Sequence, residues 1–379
     1  MFYTQQIHNF NSEVFSAYCN SSAEFIKIFQ EKYLNIFDFN NNLKSSDMQF
    51  ALQIKNNFKN FIIVGMGGAI LNPRMIASNY YPQSLENVSN LIFIDYLDEA
   101  EINKQLAKIE LNNTFVLVIS KTGNTIETCV ITDYLVNKFE NQAQRILDHF
   151  AFITTHDSKI GNIAKEYKSN ILVHPEVGGR FSSLTKVGLI PGILKGFEAD
   201  KVIKSAKSSL ERFLSNPQDH NSFRSAIFLY HTHANQILMS YSLSCLDFAG
   251  WYAQILAESL GKKRQGITPI LSLCPTDYHS QMQLYLDGPQ DKTFNLIANE
   301  SVFESGLGKI AKGQFNALTR FLNQHDTAYR IISLPIINED VLGEIITDRI
   351  IEVLFLSFLK KINPLGQPIV DELKSLIGY

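Results

Sequence analysis

Two stretches of this sequence put glycines and hydroxyl side chains where an apolar run gives way to a helical one, and both suit an anion. In GMGGAILNP (65–73), glycines such as Gly67 and Gly68 let main chain pass close to a ligand, and a helix amino terminus offers N–H groups to negative charge. A tight strand-to-helix turn without a ligand fits the same residues. The spacing is not GxGxxG, which argues against a nicotinamide or flavin site. In ISKTGNTIET (119–128), Ser120, Thr122 and Thr125 supply hydroxyls, and the amides around Lys121 to Asn124 can form a concavity of phosphate-monoester size. No Gly-Lys-Ser/Thr follows a longer glycine loop, so nucleotide hydrolysis is not suggested. A Ser/Thr-rich helix cap is the alternative.

The charged candidates lie further along. Arg180 follows two glycines in GGRFSSLTKVG (178–188), and a permanently charged guanidinium can stabilise a developing oxyanion without titrating. A surface arginine in a glycine turn is equally compatible with this segment. In AESLGKK (257–263), Glu258 is preceded by Gln254 one helical turn earlier. TDYHSQMQLYLDG (276–288) contains His279, and QPIVDELK (367–374) begins with Gln367 and ends with Lys374. A lone histidine is commonly structural and a late lysine commonly solvated, so these two stand out only in company.

The elements that must position these residues follow from the apolar pattern. FIIVG (61–65), NLIFID (90–95), FVLVIS (115–120), FAFITT (150–155) and NILVHP (170–175) read as strands separated by helices, which describes a doubly wound, mostly parallel α/β sheet. Residues 1–56 read as leading helices. After residue 195 a second block has strand-like runs at 267–273 and 329–336 and helices near 199–215, 339–361 and 366–377. The expected domains are therefore 1–195 and 196–379, two similar α/β units.

Length and composition agree with two domains, at 379 residues and 45% hydrophobic. A net charge of −3 gives no field for drawing in nucleic acid or an anionic membrane, so a phosphate needs a local device. Cys19, Cys129, Cys245 and Cys274 form no CxxC pair, and neither a zinc site nor a disulfide framework is expected. The opening MFYTQQIHNFNSEVF lacks the pattern of a signal peptide, and no apolar run is long enough to span a bilayer. The expected location is the cytoplasm.

In this order, GMGGA, SKTGNTIET, GGRFSSLTKVG, ESLGK, HSQMQ and QPIVDELK resemble the motifs of the glucose-6-phosphate isomerase family, from about residue 60 onward. The resemblance implies two sugar-isomerase domains, a homodimer, and an active site between domains completed by the partner chain. Carried over by position, Ser120, Lys121, Thr122 and Thr125 would hold the phosphate. Arg180 would face the enediol oxygens, and Glu258 would be the base. Gln254 and Gln367 would position the base and the sugar, while His279, entering across the interface, and Lys374 would assist ring opening. Three positions depart from the family's pattern: Ala69 and Asn124 stand where serine and threonine are usual, and Ile369 replaces a glycine.

Aldose–ketose exchange between glucose 6-phosphate and fructose 6-phosphate removes a proton from C2 and returns it to C1. One carboxylate can make both transfers through an enediolate, so neither metal nor redox cofactor is required. Two other readings share these motifs: a bifunctional isomerase that also accepts mannose 6-phosphate, and a non-catalytic sugar-phosphate regulator. The regulator would keep the phosphate loop and lose the acid–base residues, whereas Glu258, His279 and Lys374 are all present.

Overall fold

In a computed structural model, which describes residues 1–78 and 88–376, ten strands form two five-stranded sheets. They are β1 (Thr4–His8), β2 (Asn60–Val64), β3 (Asn90–Ile94), β4 (Thr114–Ile119), β5 (Phe150–Thr154), β6 (Asn170–Val173), β7 (Asn235–Ser240), β8 (Thr268–Leu273), β9 (Lys292–Asn299) and β10 (Tyr329–Leu334). The expected two-domain α/β class with mostly parallel sheets is the class observed.

One unit comprises residues 35–199. Its sheet runs β3-β2-β4-β5-β6, every pair parallel. β2 and β4 are its central strands, and FIIV and TFVLVI within them are wholly buried, as expected of strands covered on both faces by crossover helices. Ile62, Val64, Val116, Val118, Leu135, Phe139 and Phe152 are core residues of this unit. The order reverses between β2 and β4, so both anion-suited loops leave the carboxyl edge of the sheet at its switch point, where open α/β sheets bind ligands.

The other unit joins residues 1–34 to the chain from Asp200 onward. This corrects the expected boundary, which placed residues 1–34 with the first half. The cause is β1, which pairs antiparallel with β10, Thr4 opposite Ser333 and His8 opposite Tyr329. The sheet runs β1-β10-β9-β7-β8, its other pairs parallel, so β8-β7-β9-β10 repeats the winding of β3-β2-β4-β5. Helices Ala199–Ser215, Glu339–Leu359 and Pro368–Ser375 occupy the stretches expected, except that residue 377 lies outside the described residues.

A polar network is buried in this unit. Glu352 accepts hydrogen bonds from Arg330 at 2.9 Å and Arg349 at 2.5 Å, and all three side chains are fully buried. Burial alone would raise the Glu352 carboxyl, but the two guanidinium groups hold it below the usual carboxylate value. Tyr252 donates to Glu352 and accepts from Arg330 at 2.8 Å. Arg349 also donates to Tyr3 at 3.0 Å and Gln5 at 2.8 Å, drawing the amino-terminal strand into the same network.

All four cysteines are free thiols, Cys129, Cys245 and Cys274 being buried; burial pushes Cys245 up to about 12. Among the described residues no helix is long and apolar enough to cross a membrane.

Candidate active site

Within residues 35–199, GMGGA and GGR are brought into direct contact. Gly67 caps helix Gly68–Ala77 with φ of 56°, a left-handed conformation that glycine adopts without strain. A Cβ on Gly68 would lie 2.3 Å from the Gly179 carbonyl and 2.7 Å from the Arg180 nitrogen, so the two main chains touch. Arg180 sits in the single turn Gly179–Phe181, 5% exposed, with its guanidinium carbon 5.2 Å from the centre of the Phe181 ring.

Asn72 ties these loops together and was not singled out from the sequence. Its fully buried amide donates to the Gly179 carbonyl at 2.8 Å and to Ser182 Oγ at 3.0 Å, while Ser183 donates to its Oδ1 at 2.6 Å. Position 72 follows the glycines by one helical turn, but an asparagine in a helix carries no signal of a partner 107 residues away. Lys186, in the same motif as Arg180, pairs with Asp47 at 2.8 Å, both largely buried, and Asp47 also accepts from the Lys44 amide at 2.9 Å. This lysine anchors a helix start.

The loop 120–125 follows β4 and leads into helix Ile126–Glu140, with Thr125 at the cap. Ser120 is buried; its Oγ accepts from the Gly123 amide at 3.1 Å and donates to Thr125 Oγ1 at 3.3 Å. Lys121 and Thr122 are exposed. The hydroxyls therefore line a loop fixed by its own hydrogen bonds. Asn124, where the family pattern has threonine, accepts from the Lys159 amide at 3.0 Å. His174, just beyond β6, is held down to about 4 by burial, with Lys121 and Lys186 adding to the shift, so its imidazole is neutral.

In the second unit, helix Leu243–Leu260 carries Gln254 and Glu258. Trp251, Tyr252, Ile255, Leu256 and Ser259 bury one face, leaving Gln254 and Glu258 half-buried beside it. Gln254 Nε2 donates to Glu258 Oε2 at 3.0 Å, which orients the carboxylate, while Gln254 Oε1 is buried without a hydrogen-bond partner. Such an orphaned acceptor suits a hydroxyl donor. His279 is exposed on the short helix Thr276–Ser280 and lines a cavity of about 780 Å³ with Tyr278, Tyr285 and Lys292. Gln367 caps helix Pro368–Ser375, and Lys374 is exposed in its last turn. The twelve expected residues thus fall in two sets: Gly67, Gly68, Ser120, Lys121, Thr122, Thr125 and Arg180 in one unit, and Gln254, Glu258, His279, Gln367 and Lys374 in the other.

The profile of the family described as phosphoglucose isomerase matches residues 22–268. This chain belongs to that family. The glucose-6-phosphate isomerase of Campylobacter jejuni is 34% identical over 288 residues, covering 74% of this chain and 70% of that one. The glucose-6-phosphate isomerase of Methanocaldococcus jannaschii is 32% identical over 342 residues, covering 85% and 84%. The solved glucose-6-phosphate isomerase of Chlamydia trachomatis shares the fold, with a TM-score of 0.82 over 99% of this chain and 87% of that one, at 16% identity. For the phosphoglucose isomerase family, the matched span contains the GMGGA, SKTGNTIET, GGR and ESLGK motifs, so both glycine loops and Glu258 lie inside it.

Proposed function

We infer that this chain is an isomerase that interconverts glucose 6-phosphate and fructose 6-phosphate. The observation that carries the reading is family membership, with relatives of that name 34% and 32% identical over most of the chain. The bifunctional and regulatory alternatives are not favoured.

In this proposal Ser120, Lys121, Thr122 and Thr125 hold the phosphate, and Gly67 and Gly68 admit the sugar against main chain. His279 and Lys374 supply the acid and base that open the ring. Glu258 removes the C2 proton and returns it to C1 while the proton on O2 passes to O1 in the enediol stage, so the aldehyde becomes a hydroxyl and the hydroxyl a ketone with no net gain or loss of electrons. Arg180 stabilises the enediolate oxygen between the two transfers, because its charge is fixed while the substrate's is transient. Gln254 and Gln367 orient the carboxylate and the sugar. The chain works as a cytoplasmic homodimer in which each His279 serves the partner's site.

Coupled detection of fructose 6-phosphate formed from glucose 6-phosphate tests the reading. Turnover is expected, with mannose 6-phosphate a much poorer substrate. Binding of sugar phosphate without turnover would favour the regulator.

A further inference from the structure

The loop 120–125 rests on the first turn of helix Lys159–Glu166, which follows β5. Gly123 has φ of +63°, and a Cβ there would lie 2.0 Å from Ser158 Oγ and 2.6 Å from Thr154 Oγ1, so no side chain fits between loop and helix. The first two amides of that helix both donate back to the loop. Ile160 N–H goes to the Gly123 carbonyl at 3.0 Å, and Lys159 N–H goes to Asn124 Oδ1 at 3.0 Å. Any residue at 123 offers a carbonyl; only the second bond is chosen by side-chain identity. Asn124 N–H meanwhile donates to Thr122 Oγ1 at 3.3 Å, which links the same residue to a hydroxyl of the cup.

We propose that Asn124 is a positioning residue for phosphate binding, acting by fixing loop 120–125 to the Lys159 amide. Three properties are needed at this position, and asparagine combines them: an acceptor, the reach to span from loop to helix, and no negative charge beside a phosphate. A serine or threonine hydroxyl is one bond shorter, and aspartate would repel the ligand at close range. The inference rests on the reading of loop 120–125 as the phosphate site.

The test is a substitution cycle read by kinetics. Asn124→Ala should raise both the KM for glucose 6-phosphate and the inhibition constant of inorganic phosphate about two- to tenfold, with kcat changed less than about twofold, as expected for one hydrogen bond that only places the loop. Lys159→Pro deletes the donor at a helix position that proline favours, and Lys159→Ala deletes the charge alone. Asn124→Ala should retain its effect in the Lys159→Ala background and lose it in the Lys159→Pro background. An equal effect in both backgrounds, unchanged constants in the single variant, or a loss confined to kcat would each overturn the inference. Failure of inorganic phosphate to compete in the unsubstituted protein would instead overturn the loop's assignment, and the inference with it.

Discussion

A carboxylate that only accepts and returns a proton has a simple isostere, and Glu258→Gln should keep sugar-phosphate affinity while lowering kcat at least about a hundredfold. Steady-state kinetics with measured binding check this; near-normal turnover would remove Glu258 as the base. His174 makes a different kind of prediction. Its imidazole binds a proton near 6.5 when unfolded and near 4 when folded, so protonation favours the unfolded chain. Its contribution to stability is full above 6.5 and falls away as pH drops through that window, by about 3 kcal/mol in total. Denaturant titrations of the unsubstituted protein and His174→Gln at pH 7 and pH 4.5 should therefore show a smaller acid loss in the variant. Equal losses would mean that His174 is not held neutral.

At the scale of elements, the contact between two glycine loops in residues 35–199 leaves no room for a side chain. Gly68→Ala places a methyl on the Gly179 carbonyl, so the turn bearing Arg180 must move. Turnover should fall more than about tenfold with modest change in the denaturation midpoint, whereas unchanged kcat would separate that turn from the chemistry. Glu352→Gln strips the charge that two buried arginines share, and the expected cost is about 3–5 kcal/mol, measured by urea unfolding. These two features differ in how far the sequence discloses them. β2 to β6 were legible because each is a short apolar run between helices, and the glycine loops were legible because they follow such runs. β1 was not: TQQIH lacks an apolar alternation, and its role comes from β10 and from Arg349, which bonds Gln5. β9 hides for a related reason, since Asn295 interrupts its apolar run and is satisfied only by Gln236 and Arg330 once folded. Asn72 is the same lesson within the site. Residue types announce chemistry, but buried amides announce nothing until their distant partners are placed.

For the whole molecule, the dimer proposal has a direct consequence for mixed assemblies. Inactive His279→Ala and inactive Glu258→Gln chains, dissociated and reassociated together, should regain activity, because a mixed dimer has one site with both residues intact. Proven mixed dimers without activity would place His279 in its own chain's site or in none. The division into units also matters while the chain is being made. Residues 35–199 are contiguous, whereas β1 waits for β10, whose first residue lies beyond residue 328. At roughly 5–20 residues per second this is about a quarter of a minute to a minute of synthesis. Throughout that interval Tyr3 and Gln5 lack the arginine that receives them, and the amino-terminal segment is an unpaired strand available to chaperones or to neighbouring nascent chains. β1 is thus made well before the strand that pairs with it, and it becomes native only after β10 and Arg349 have followed.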